Sequence, residues 1–124
     1  MGDMLQSGLA WLATQQAAHA SVSVTYRRRS SYQLIVATLG RTEFEIDSGE
    51  GYVEKIQSLD FIIKGDALAD FDPPEPMAGD LIERGMNGMV YRYEVSAPGN
   101  EQAWIWTDPY RSSMRLHSKL VKVL

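Results

Sequence analysis

Cysteine is missing from this chain, and histidine occurs only twice, at His19 and His117. Without cysteine there is no disulfide, no thiolate nucleophile and no thiolate metal site, so the fold must be held by packing and the redox compartment stays open. Long apolar runs are missing as well. None approaches the ~20 residues that cross a bilayer, and the N-terminus has neither the basic region nor the apolar run of a signal peptide. The expectation is a protein made and kept in the cytoplasm, with no membrane partner. Glycine-rich phosphate loops are absent too, because GEG and GMNG are isolated short turns that do not bridge a strand and a helix.

These absences remove most routes to catalysis. Asp60, Asp66, Asp70 and Asp72 lack the spacing and closing glutamate of a calcium loop, and two histidines so far apart form no zinc motif. No metal and no cofactor are expected. His117 sits in an alternating run in which Arg115, His117 and Lys119 share one face, while Met114, Leu116 and Leu120 largely form the other. A polar face turned to water accounts for it. Nothing fixes a carboxylate beside it as an acid or base, so no catalytic residue is assigned and the chain does not read as an enzyme.

What is present suits one domain. A chain of 124 residues with 44% hydrophobic and 23% charged content has the composition of an ordinary globular protein able to close one core. Its net charge of -4 is unevenly spread. Residues 1–42 set Arg27, Arg28, Arg29 and Arg41 against Asp3, and residues 102–124 set Arg111, Arg115, Lys119 and Lys122 against Asp108, each giving +3. Between them, fourteen acidic side chains face Lys55, Lys64, Arg84 and Arg92, giving -10. Such blocks either interleave in space as a mixed surface or make a dipolar subunit whose copies attract one another.

Periodicity places one amphipathic helix at about Met4–His19: Asp3 is set to cap it, with Gln6 completing the capping box, and Leu5, Leu9 and Leu12 follow at helical spacing beside Trp11. After Ala20 the period becomes two. Val22, Val24 and Tyr26 alternate with Ser23, Thr25 and Arg27, the pattern of a half-buried strand. RRRSS reads as a turn and YQLIVATL as a strand buried on both faces. Gly40 and Arg41 lead into a further strand, TEFEID. A long extended stretch, Tyr52 to Ile63, slips in alternation near Gln57, which suggests a bulge. DALADFDPPEP predicts a stiff protruding loop. The Asn-Gly of GMNG suits a tight hairpin, and MVYRYEVS, QAWIWT and MRLHSKLVKV supply the remaining strands. The total is an N-terminal helix over residues 1–20 followed by a mainly β domain over residues 21–124, an antiparallel barrel or sandwich of about seven strands.

Two surfaces could carry function. TYRRRSSY sets Arg27, Arg28 and Arg29 between Tyr26 and Tyr32, and YRSSMRLHSK is a weaker version. Arginines can neutralise phosphates while rings stack on bases, so a nucleic-acid-binding barrel using Arg27–Arg29 is one reading. The other is a protein-binding surface. Trp104 and Trp106 point to one side of their strand, filling the core or, if partly open, anchoring a partner.

The succession VTYRR, ATLGRTEFE, SLDFII, PMAGDLIE, YEVSAPG, AWIWTDPYR and RLHSKLV resembles the small head-tail joining, or head completion, proteins of tailed bacteriophages and prophages. The resemblance runs from about Val22 to Val121. It implies an N-terminal helix before a β-barrel and a non-enzymatic structural role: a homo-oligomeric ring below the portal that connects the filled capsid to the tail. The implied partners are portal or tail proteins, with any DNA contact not sequence-specific, in the host cytoplasm during assembly and then in the virion. The family has no defined set of functional side chains. The partner-contact candidates come from this sequence itself: Arg27, Arg28 and Arg29, the loop residues Phe71, Pro73 and Pro74, and Tyr110, Arg111 and Arg115 around the last turn.

Overall fold

A computed structural model describes residues 21–47, 49 and 51–124; the helix expected over Met4–His19 lies outside the described residues. Seven strands follow one another: β1 Ser21–Arg28, β2 Ser31–Asp47, β3 Val53–Lys64, β4 Leu81–Met86, β5 Met89–Val95, β6 Trp104–Trp106 and β7 Ser113–Val123. Every pairing is antiparallel. The order is β3-β2-β1-β4-β5-β7-β6, and an additional β3–β7 pairing closes six of the strands into a barrel. Strand β7 makes this closure possible because its first half, Ser113–Ser118, pairs with β3 and its second half, Ser118–Val123, pairs with β5. β6 lies alongside the first half of β7.

Alternation determines which side chains point inward. In β1, Val24 and Tyr26 are buried while Ser23 between β1 residues of the inner face is exposed. They meet Ile35 and Ala37 of β2, Phe61 and Ile63 of β3, Ile82 of β4, Tyr93 and Val95 of β5, and Met114 and Leu116 of β7. Phe61 and Tyr93 pack edge to face at 5.3 Å between ring centres, a favoured aromatic geometry. Each large apolar side chain fully enclosed in this way contributes roughly 1.5–3 kcal/mol. Between β4 and β5, Asn87 and Gly88 both take positive φ, 56° and 76°, and form the two-residue hairpin turn that their sequence called for.

Several expectations are corrected. β2 does not break at Gly40 and Arg41; it runs on for 17 residues, with Gly40 paired to Asp60. Glycine serves a packing purpose there: a Cβ would stand 3.4 Å from the Arg115 guanidinium, which crosses the strand at that point. β3 pairs with β2 in unbroken register through Gln57. The irregularity lies instead between Arg92 and Tyr93, where β5 meets β7. The YQLIVATL segment is buried on one face only, since Tyr32, Leu34 and Val36 are 66%, 73% and 62% exposed.

The segment between β3 and β4 does not stand off the barrel. Leu68 and Phe71 are buried with the core, and Ala67, Ala69 and Phe71 donate backbone hydrogen bonds to the carbonyls three residues earlier. These turns carry the apolar side chains of an otherwise polar, proline-rich stretch back to the barrel end, where Tyr26 meets the Phe71 ring edge-on at 5.4 Å.

Candidate functional site

The three arginines at the end of β1 have different surroundings. Arg27 pairs with Glu83 across the β1–β4 ladder, and its guanidinium lies over the Tyr32 ring at 5.1 Å. Glu83 also holds Arg92, at 2.8 Å. The Arg27 hydrogen bond, against some opposing burial and with help from Arg92, keeps the Glu83 carboxyl below the usual range. Arg28 turns inward: its side chain is 9% exposed and its Nη2 lies 2.8 Å from Asp80 Oδ2. Arg29 is exposed at the turn, in a left-handed conformation with φ 57°.

Arg28 and Asp80 form a clasp around the proline-rich loop. The guanidinium donates to the carbonyls of Pro73, at 2.7 Å, and Glu75, and it stacks over the Phe71 ring at 5.2 Å. Asp80 accepts from the Tyr26 hydroxyl and from the Met77 amide at 3.0 Å. Burial, reinforced by the neighbouring Asp80 carboxylate, pushes the Tyr26 phenol well above its ordinary value, while the Asp80 hydrogen bond raises that of Arg28. Phe71 is thus enclosed, Pro73 half-buried and Pro74 exposed.

A second polar cluster spans β2, β3 and β7. Asp60 is fully buried and accepts from Ser58, from Thr42 and, at 2.8 Å, from Arg115 Nη1. His117 Nδ1 lies 3.0 Å from Asp60 Oδ1, and Phe44 meets the imidazole edge-on at 5.0 Å. His117 is 4% exposed, so the polar face expected to meet water is covered at this residue. Burial by itself raises the Asp60 pKa, but the hydrogen bonds from Ser58, Thr42 and His117 outweigh it and hold the carboxyl low.

Serine, histidine and aspartate meet here, but not in a nucleophile's geometry. Ser58 Oγ and Asp60 approach the same ring nitrogen, Nδ1, and the serine hydroxyl donates to the aspartate itself. A relay needs the hydroxyl at one imidazole nitrogen and the carboxylate at the other. The cluster holds three strands together.

β6 and the turn that follows it present an aromatic surface. Trp104 and Trp106 are half-buried and packed against the core, with ring centres 5.3 Å apart in an edge-to-face pair. They line an open groove of about 620 Å³ together with Glu75, Pro76, Ala78 and Arg111. Arg111 lies over the Trp106 ring at 5.6 Å. Asp108 fixes the turn by accepting from the Ser112 amide at 3.0 Å and from its hydroxyl, and Gly65 donates to the Ser112 carbonyl at 2.9 Å. Tyr110, at the tip, is 89% exposed.

The candidates converge only in part. Arg28 clasps the proline loop, and Glu75 and Pro76 of that loop line one groove with Arg111; Arg27 is tied to Glu83 beside Tyr32, and Arg115 to Asp60 on a barrel wall. The charge blocks interleave: Arg27 with Glu83, Arg28 with Asp80, Arg115 with Asp60 and Lys119 with Glu94 each join a basic block to the acidic one. The sequence reading missed the exposed stripe Tyr32, Leu34 and Val36. Its signal was the serine and threonine alternation of β1, which pairs Ser23 with Val36 and Thr25 with Leu34 on the same outer face.

A family described as phage head-tail joining protein matches residues 2–124. No curated protein matches the chain.

Proposed function

This chain belongs to the phage head-tail joining protein family, whose members are structural components of the phage particle, and from that premise we propose that it assembles as a homo-oligomeric ring connecting the capsid portal to the tail. The observation that supports a ring is the placing of exposed apolar side chains on separate sides of the barrel. Tyr32, Leu34 and Val36 mark the outer face of β2; Leu120, Val121 and Val123 mark the end of β7; Tyr110 stands on its own turn. A closed ring built head to tail needs two different, complementary surfaces on each copy. Aromatic side chains on pre-ordered turns are the usual energetic anchors of such contacts.

Assembly would take place in the host cytoplasm, and the ring would then stay in the virion with portal or tail proteins as neighbours. Any DNA contact would be through the backbone and without sequence preference. The Arg27–Arg29 patch contributes less to such contact than its sequence suggests, because Glu83 and Asp80 neutralise two of its three charges.

Sedimentation velocity and negative-stain imaging of the concentrated protein, alone and mixed with portal protein, test the proposal. Discrete ring-shaped oligomers in either sample are expected. A monodisperse monomer in both would overturn it.

A further inference from the structure

β6 has a neighbour on one side only. It ends the strand order of the sheet, with β7 along one edge and, among the described residues, no strand along the other. The ladder shows which backbone groups this leaves open. The Ala103 carbonyl accepts from the His117 amide, and the Thr107 amide donates to the Ser113 carbonyl. Ala103, Ile105 and Thr107 therefore direct their backbone groups at β7, while Trp104 and Trp106, the positions between, direct theirs away from it. Among the described residues no backbone group meets Trp104 or Trp106 on that free side. An open edge of this kind is a template for another extended chain.

The free edge borders a slot. Trp104, Ile105 and Trp106 line one side of the groove of about 620 Å³, and Glu75, Pro76 and Ala78 of the loop before β4 line the other. Both sides are fixed in advance: Arg28 binds the Glu75 carbonyl, and Asp108 holds the turn that carries Arg111. Preformed walls reduce the ordering cost of binding. Arg111 lies over the Trp106 ring and lines the slot. Arg27, Arg28, Arg92 and Arg115 each have a carboxylate partner, whereas Arg111 has none among the described residues.

We infer that this slot accepts an extended segment of a partner protein as an added strand on β6, with a carboxylate of that segment on Arg111. Backbone hydrogen bonds to Trp104 and Trp106 supply the pairing, and alternate side chains supply the selectivity. An antiparallel strand, the arrangement of every pairing in the barrel, sets its N-terminal end at Trp106. Its acidic residue then stands opposite Trp106, on the face where Arg111 lies. The residue two places on stands opposite Trp104, where the indole favours an apolar side chain. The residue between them shares the outer face with the exposed Ile105. From Ala103 to Thr107 the edge is ~17 Å long, so about five residues of the partner are read. The loop on the far side of the slot excludes the edge of a second barrel, which brings its whole sheet with it, and leaves a lone strand as the occupant. The inference stands on β6 and its slot, independently of ring formation.

Amide exchange measured by NMR, on the protein alone and with synthetic peptides, tests this. The probe is a capped peptide of about seven residues, threonine and valine in alternation with one aspartate near its N-terminus. In the protein alone, the Trp104 and Trp106 amides should exchange about tenfold or more faster than that of Ile105. Millimolar peptide should slow both by about tenfold or more. A peptide with lysine in place of the aspartate should bind about two- to fivefold more weakly, the range for an exposed ion pair. Arg111→Gln should erase that difference while leaving the lysine peptide able to bind. N-methylation of the peptide at the residues facing Trp104 and Trp106 should abolish binding. The inference is overturned if the acidic peptide leaves both amides fast, or if the lysine peptide binds wild type equally well. Slow amides in the peptide-free protein also overturn it: slowing at every concentration would show the edge already filled, and slowing that grows with concentration would place a second copy there. Ring formation is read separately by sedimentation, so the failure of one reading is distinguishable from the failure of the other.

Discussion

The guanidinium of Arg28 reaches across 52 positions of sequence to Asp80, with Nε 3.1 Å from each carboxylate oxygen and Nη2 2.8 Å from Oδ2. The same guanidinium binds two loop carbonyls and covers the Phe71 ring. One side chain therefore ties the proline-rich segment to the barrel wall. Side-chain exposure of 9% and 6% puts the pair among buried ion pairs, whose value lies less in net attraction than in the cost of leaving one partner alone.

Arg28→Ala should accordingly cost about 3–5 kcal/mol, a large share of the roughly 5–15 kcal/mol that holds a domain folded. Arg28→Lys, which keeps the charge but not the planar fork, should recover only part of it. Urea unfolding of the two variants checks both. Equal stability of wild type and Arg28→Ala would show that the loop does not depend on the clasp.

Gly65 makes a second such contact by having no side chain. A Cβ on it would stand 2.4 Å from the backbone carbonyl oxygen of Arg111 and 3.4 Å from Trp106. A backbone atom cannot rotate away, so Gly65→Ala must push the Asp108–Ser112 turn off β3. The expected loss is about 1–3 kcal/mol, the range for forcing atoms into a filled site. Arg111 would also leave the Trp106 ring, shifting the Trp106 indole N–H resonance. An unchanged spectrum at unchanged stability would contradict the contact.

At Arg29 the expectation has the opposite sign. Its φ of 57° is one that side chains rarely adopt, and the residue is exposed. Arg29→Gly should be neutral or stabilise by up to about 1 kcal/mol, since glycine takes this conformation without a Cβ penalty. Thermal unfolding distinguishes this from a role for Arg29 in holding the hairpin, which would lower the midpoint.

Much of the fold was legible where the cause is local. The alternation of Val22, Val24 and Tyr26 and the Asn87-Gly88 pair act within a few residues, and each produced the element it suggested. His117 was not legible, because alternation identifies its face but not what covers that face. Asp60, 57 positions away, comes beside it only through the β3–β7 register. Gly40 misled for a related reason: it looked like a strand end, and its meaning lies in Arg115 crossing above it. The candidate surface was legible as residue types, but the partners of Arg27 and Arg28 were not, since Glu83 and Asp80 arrive with β4.

The two depressed carboxyls make stability depend on pH in a defined direction. Burial raises the Asp60 pKa, yet the hydrogen bonds from Ser58, Thr42 and His117 outweigh it; for Glu83 the Arg27 hydrogen bond outweighs burial. A carboxyl with a folded pKa below its unfolded one contributes stability that is complete above the unfolded value, about 4, and is lost as pH falls through the folded value. The contribution of these two groups should therefore be constant from about pH 7 to 5 and decline below about pH 4. Asp60→Asn and Glu83→Gln should each be less stable than wild type at about pH 6, with the gap closing towards about pH 2, where the native carboxyls are themselves protonated. Urea midpoints measured across that range provide the check. A gap that stays constant with pH would mean that the substitutions act through shape and hydrogen-bond geometry, with the charges on Asp60 and Glu83 contributing nothing.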